Sequence, residues 1–411
     1  MASPSSIEGF GPPQDFATAS SAVQPSNGAR LLVCVPSLPE DVLPGFLADL
    51  ATVFRPDEVL IASPDIEEPE SATALPVTIF DGTRVRSDWV LTAGDYIAAN
   101  ELAQRHDAAQ VLLFGSDVTS LQPSAIRRMA DEIAAGADLI VPAYSLGPHD
   151  GLVASALLYP LTRALFAANI RFPLPMDAGM SRRMVQRMAS VAQRQAASQP
   201  DAALWPVSEA AVAAFNVRQV ETGAPTPPAP PGSDFNTLFV SVAASIFADI
   251  EAKAPFWQRS RGPAGATREG PPVANVSGQS SDLAEELPGM VEAFRLAHRN
   301  LQEIWSLALP PQSLLALKKL SLAEPAAFVM SPALWARLVY DFALAFHLRS
   351  LNRGHLIGAF TPVYLAWVAS TLRTVTDDAS AAAHREETAA AFEREKAYLV
   401  ARWRWPDRFN P

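Results

Sequence analysis

A single cysteine, Cys34, in 411 residues excludes an intramolecular disulfide and any cysteine-rich metal site. It lies in an apolar run and reads as a small core residue rather than a nucleophile. Cationic side chains are also in the minority. Lys and Arg number 32 against 43 Asp and Glu, a net charge of -11, which argues against a general nucleic-acid binder but not against a local basic pocket. The six histidines are His106, His149, His298, His347, His355 and His384. None stands three or four residues from another His or from Cys34, so no zinc motif is present. The glycine-rich phosphate loops are missing as well. Pro36-Ser37-Leu38-Pro39 stands where G-x-G-x-x-G would follow a first strand, and there is no GxxxxGK[ST] and no G-x-S-x-G. The N-terminus lacks the basic start and apolar core of a signal peptide, and no uninterrupted apolar run reaches membrane-spanning length. Nothing repeats at a fixed period. The expectation is a cytoplasmic protein with no membrane span and no nucleic-acid partner.

What remains is a chain that is 49% hydrophobic and 18% charged, long enough for two domains and a large core. Residues 1–28, rich in Ser, Ala, Pro and Gly, read as a disordered arm. Apolar runs at Leu31–Val35, Val59–Ala62, Val77–Phe80, Val111–Phe114 and Leu139–Val141 predict strands. Helical spacing predicts helices at Leu43–Phe54, Asp88–His106 and Pro123–Ala135 between them. Such alternation predicts an α/β fold, a mostly parallel sheet covered by helices on both faces. Leu152–Ala168 and Ser181–Ala197 read as helices around a proline-pinned loop, Arg171 to Gly179. This first domain spans 29–224. A proline-rich linker, 225–233, follows, and 234–411 read as an all-α C-terminal domain with a mobile loop at 260–282. Its aromatics (Phe328, Trp335, Tyr340, Phe342, Phe346, Tyr364, Trp367) recur at roughly helical spacing and are expected in its core.

The most informative stretch is Val111-Leu112-Leu113-Phe114-Gly115-Ser116-Asp117-Val118-Thr119-Ser120. Four apolar residues in a row read as a strand buried on both faces, and Asp117 then falls just past its carboxyl end, where open α/β sheets bind ligands. Asp117 reads equally as a turn or N-cap residue ahead of Gln122-Pro123-Ser124.

The stretch from Leu31 to about Val375 resembles the retaining GT-A glycosyltransferases of the mannosylglycerate synthase and glucosyl-3-phosphoglycerate synthase type. Those enzymes pair a Rossmann-like nucleotide-sugar-binding domain with a helical C-terminal domain. Three segments carry the resemblance. Phe114 to Ser120 fills the place of a DxD-type motif, with Asp117 matching its last Asp and Gly115 standing for its first. Thr92-Ala93-Gly94-Asp95 fills the place of a Gly-Lys-Gly-Asp run, keeping Asp95 but with Ala93 for the lysine. Met176-Asp177-Ala178-Gly179-Met180-Ser181-Arg182-Arg183 fills the place of an acceptor loop with a Gly-Gly-Glu run, Asp177 standing in for the glutamate. Glu221 to Pro227 lacks the family's metal histidine.

The resemblance implies transfer of a sugar, with retention, from a nucleotide-diphosphate sugar to a small, glycerate-like anionic acceptor. It implies Mg²⁺ or Mn²⁺ held by Asp117, because a hard cation would neutralise the diphosphate leaving group. It assigns Asp177 and Asp95 to catalysis, and Pro36, Asp81, Arg84, Gly94, Asp95, Ser116 and Asp117 to the donor. It assigns Tyr144, His149, Arg171 and Arg182 to the acceptor side, with Arg183 as a further cation for it. A homodimer through the helical half is implied as well. Two alternatives stand beside this. One is a catalytically degenerate homologue that binds or scaffolds. The other is a helical interaction protein, which requires an exposed apolar patch on the helices of 283–375.

Overall fold

The computed structural model describes residues 31–36, 42–64, 75–80, 91–115, 118, 121–145, 147–196, 203–223, 235–260, 267–269 and 281–406. The arm 1–28, the linker 225–233 and most of the loop 260–282 lie outside them.

Eight strands form one sheet: β1 (Leu31–Cys34), β2 (Val59–Ser63), β3 (Val77–Ile79), β4 (Gln110–Leu113), β5 (Leu139–Tyr144), β6 (Ala178–Ser181), β7 (Val217–Gly223) and β8 (Thr267–Glu269). Their order is β3-β2-β1-β4-β6-β5-β7-β8. All neighbours are parallel except β6, which runs antiparallel to both β4 and β5. The fold is therefore the mostly parallel α/β class expected. Its continuous apolar runs serve two layers. Leu32, Cys34, Val111 and Leu113 face one core with α2 (Ala93–Arg105), α5 (Arg182–Ala196) and α6 (Pro206–Val212). Leu31, Val33, Leu112 and Phe114 face the other, with α1 (Leu43–Ala51) and α3 (Pro123–Ala134). Alternation along a strand thus explains why no polar residue interrupts these runs.

Three strands, β6, β7 and β8, are not among the five expected. The segment expected as a loop to Gly179 contains β6, whose Ala-Gly-Met-Ser is too short and too small to read as a strand. Smallness is what the position requires: a Cβ on Gly179 would come within 2.9 Å of Ile133 Cδ1 and 3.1 Å of Ile140 Cβ. β8 lies inside the segment expected as a loop and adds a parallel edge strand to β7.

The C-terminal half is otherwise helical: α7 (Phe235–Ala252), α8 (Ala254–Trp257), α9 (Ser281–Asn300), α10 (Gln302–Ala308), α11 (Pro311–Ser321), α12 (Pro332–Leu348), α13 (Arg353–Thr374) and α14 (Asp378–Arg404). All seven aromatics expected in its core are buried. The core also takes in Leu157, Leu161, Leu165 and Phe166 from the first half, on a π-turn (Ala154–Leu158) and α4 (Tyr159–Phe166). Trp335 Nε1 donates to the Ala156 carbonyl at 2.7 Å, and Arg163 pairs with Glu386 and Glu393 on α14. A boundary drawn at residue 224 therefore cuts through a shared core. Two helices, Phe235–Ala252 and Arg353–Thr374, are long and apolar enough by composition to cross a membrane, although 72% of the apolar window of the second is buried in the fold.

Candidate active site

The chain reverses its strand order between β1 and β4, and the crevice beyond their carboxyl ends is where α/β sheets take ligands. The ladder continues to that edge through Val35 N–H to the Ala62 carbonyl and Phe114 N–H to the Cys34 carbonyl, both 2.9 Å. Pro36 is buried directly after β1. Gly115 follows Phe114 on the neighbouring strand.

Asp177 sits at the same edge, because β6 is antiparallel and begins there, Ala178 opposite Leu113. Its Oδ1 accepts the Gly115 N–H at 3.0 Å and its Oδ2 accepts the Tyr144 hydroxyl at 2.7 Å. Asp177 is 5% exposed. One carboxylate thus ties together the ends of β4, β5 and β6. Tyr144 reaches it from a register shift between β5 and β7, where Tyr144 pairs with Gly223 rather than the next residue in step. Gly223 has φ +88°, a conformation glycine takes without cost. The Tyr144 ring meets Phe172 edge-on at 5.1 Å between centroids, and the Arg171 guanidinium lies 5.6 Å from the Phe172 ring centroid. Gln219 on β7 fixes this segment, accepting the Arg171 N–H at 3.1 Å and donating to the Asn169 carbonyl at 3.2 Å.

Asp95 and Gly94 also lie toward this edge, in the first turn of α2, where the helix presents its positive end. Asp95 is occupied locally: its Oδ2 accepts the Thr92 N–H at 2.7 Å and the Thr92 hydroxyl at 2.8 Å. Burial raises its pKa against the pull of those two bonds. The structure gives Asp95 a capping role that the sequence pattern left unspoken. Cys34 is fully buried, and burial next to the Asp95 charge pushes its thiol far above the usual range, as a core residue requires.

Two arginines expected on the acceptor side belong elsewhere. β6 carries the chain roughly 13 Å across the sheet, about 3.3 Å for each of four residues, so Arg182 and Arg183 start α5 at the opposite, amino edge. There Arg182 pairs with Asp107 at 2.7 Å, and Arg183 pairs with Asp138. Sequence adjacency to Asp177 suggested a shared site; an unrecognised strand separates them. His149 is at the junction of the two bodies, its Nε2 3.0 Å from the Val375 carbonyl, so that nitrogen carries the proton and pins the loop to the end of α13. Ser116, Asp117, Asp81 and Arg84 lie outside the described residues. Among the described residues no three His, Cys, Asp or Glu side chains converge as a metal site, and both oxygens of Asp177 already accept protein donors. Phe172 and Gln219 were not foreseen; an aromatic beside a proline and a glutamine inside a strand carry no distinctive spacing.

No family model and no curated protein matches the chain. Among solved structures it is similar to glucosyl-3-phosphoglycerate synthase from Mycobacterium tuberculosis. The complex of that enzyme with Mn²⁺, uridine-diphosphate-glucose and phosphoglyceric acid aligns at 14% identity and TM-score 0.37, over 54% of this chain and 79% of that one. Its complex with uridine-diphosphate alone aligns at 15% identity and TM-score 0.36, over 61% and 89%.

Proposed function

We propose that the chain is a glycosyltransferase that moves a sugar from a nucleotide-diphosphate sugar to a small anionic acceptor. The observation that carries this is the buried Asp177 carboxylate, held between Gly115 N–H and Tyr144 O–H at the carboxyl edge of a sheet whose order reverses alongside. A carboxylate kept in one orientation by two donors is suited to orient a sugar or acceptor hydroxyl. The sequence resemblance supplies the reaction class, retention, the donor contacts at Asp81, Arg84 and Ser116, and the assignment of a divalent cation to Asp117. Tyr144 and Arg171 stand on the acceptor side, with Phe172 packed between them.

The test is release of UDP or GDP from UDP- and GDP-hexoses offered with glycerate-like acceptors, with and without Mn²⁺. Acceptor-dependent release with one nucleotide supports the proposal. No turnover with any pair sinks it.

A second reading is that the fold persists as a binding protein without transfer chemistry. Asp95 favours it, since its carboxylate is engaged by Thr92, as does Ala93 in place of a lysine. Leu296, Leu307, Leu315 and Leu322 on α9 to α11 and the turn after α11 are exposed, which this reading requires. Under this reading nucleotide binds but no sugar moves.

A further inference from the structure

A cleft of about 580 Å³, its open mouth included, runs along the junction of the α/β and helical bodies. One wall comes from the 147–156 segment and from Arg171-Phe172. The other comes from the end of α13, through Trp367, Thr371 and Val375, and from the first turns of α14, through Ala381, His384, Arg385 and Thr388. Spacings of three and four place these residues of each helix on one face.

The lining is cationic in a chain whose net charge is -11. Arg171 and Arg385 line the cleft with one acid, Asp150, whose Oδ2 already accepts the Gly147 N–H at 3.1 Å, while Glu386 and Glu387 act on Arg385 and His384 from α14 itself. The neutral hydroxyls are turned inward. Thr371 donates to the Trp367 carbonyl, Thr388 to the His384 carbonyl and Ser155 to the Leu152 carbonyl. Because the Thr371 proton is spent, its oxygen accepts from His384 Nε2 at 3.2 Å, which leaves Nδ1 as the variable nitrogen of that ring. The buried Trp367 indole stacks on His384 at 5.1 Å and fixes its plane. A guanidinium carries five N–H groups in a fork that matches an oxyanion, so each arginine can serve a ligand beside its existing protein contacts.

We propose that this cleft is an oxyanion site shared between the two bodies, with Arg171 from the α/β body and Arg385 from α14 as the groups that grip a phosphate or carboxylate. The proposal rests on the transferase reading only in assigning that anion to the acceptor. Phe172, in the cleft wall, packs edge-on against Tyr144, whose hydroxyl donates to Asp177. No motif of the sequence resemblance includes α14. The helical body would then be part of the binding site rather than a support for it.

The experiment is a thermal-shift titration of the full chain with inorganic phosphate and with glycerate, each against sodium chloride of equal ionic strength. Wild type, Arg171→Gln and Arg385→Gln are compared with Arg182→Gln, which removes a charge at the far edge. We expect an oxyanion-specific rise in wild type and Arg182→Gln, and at least tenfold weaker apparent affinity in each arginine variant. A shift unchanged by Arg385→Gln and Arg171→Gln, or no shift beyond chloride in wild type, overturns the site. Each variant's own melting temperature without anion separates misfolding from lost binding, and Arg171→Lys and Arg385→Lys, which keep the charge but lose the fork, test the site by weakened binding if either glutamine variant fails to fold. Parallel titration with UDP and GDP separates the two claims: oxyanion binding without nucleotide binding keeps this site and removes the transferase reading.

Discussion

Replacing Asp177 separates its structural work from its chemical work. In Asp177→Ala the Tyr144 hydroxyl and the Gly115 N–H lose their acceptor. Tyr144 is 6% exposed, so its stranded hydroxyl costs about 1–3 kcal/mol. Gly115 is only half-buried, so water recovers part of its loss and about 1 kcal/mol remains. The sum is about 2–4 kcal/mol. A chain of 411 residues has an unfolding entropy near 0.9 kcal/mol/K, so the melting temperature should fall by roughly 2–5 °C. Asp177→Asn keeps the shape. Its amide oxygen still accepts from Gly115, and Tyr144 can turn its lone pairs toward the amide nitrogen, so the cost should be about 1 kcal/mol. The lost charge matters more to a bound hydroxyl. A hydrogen bond to a charged acceptor contributes about 1.5–3 kcal/mol, so Asp177→Asn should lower kcat/KM by roughly 10- to 100-fold with little loss of fold. Melting curves by circular dichroism and the nucleotide-release assay read the two effects. An Asp177→Asn protein with wild-type kcat/KM, or an Asp177→Ala protein as stable as wild type, would refute the reasoning.

Two further predictions concern the frame around the site. Burial alone would raise the Asp138 pKa, but hydrogen bonds from Arg183, the Asn216 N–H and the Ser181 hydroxyl outweigh it and hold the carboxyl below the usual range. A depressed folded pKa contributes stability above the unfolded value of about 3.8, lost as pH falls through the folded one; Asp138→Asn should therefore destabilise at pH 7 and narrow the gap in urea midpoint between pH 7 and pH 3, and an unchanged gap would contradict this. A fragment of residues 234–411 lacks Leu157, Leu158, Leu161, Leu165 and Phe166, whose burial contributes on the order of 10 kcal/mol, so it should not unfold cooperatively, and a sharp calorimetric transition from it would show that the helical body stands alone.

Much of the fold was legible because its strands are buried on both faces and its long helices are amphipathic. Leu31 to Val35, Val111 to Phe114 and Pro332 to Leu348 read directly from apolar run and period. β6 was not legible, since Ala-Gly-Met-Ser carries neither run nor period, and its small residues answer to the neighbouring Ile133 and Ile140. That one strand decides the site. It keeps Asp177 at the ligand edge and sends Arg182 and Arg183 to the other. Nor could sequence order foresee that α4 would join the helical core, or that Arg171 and Arg385 would line one cleft 214 positions apart in the chain. Pairings of that kind arise from packing between bodies and leave no local spacing to read.

The central claim is a nucleotide-sugar site at the carboxyl edge of the sheet. Its most direct test is a thermal-shift titration of the full chain with UDP and GDP and their hexose conjugates, each with and without Mn²⁺. A ligand bound by the folded state alone, at 100 times its Kd, stabilises by about 2.7 kcal/mol. The account predicts a metal-dependent rise with one nucleotide series, abolished in Asp117→Ala. A melting temperature that no nucleotide or sugar conjugate moves, with or without metal, would contradict it.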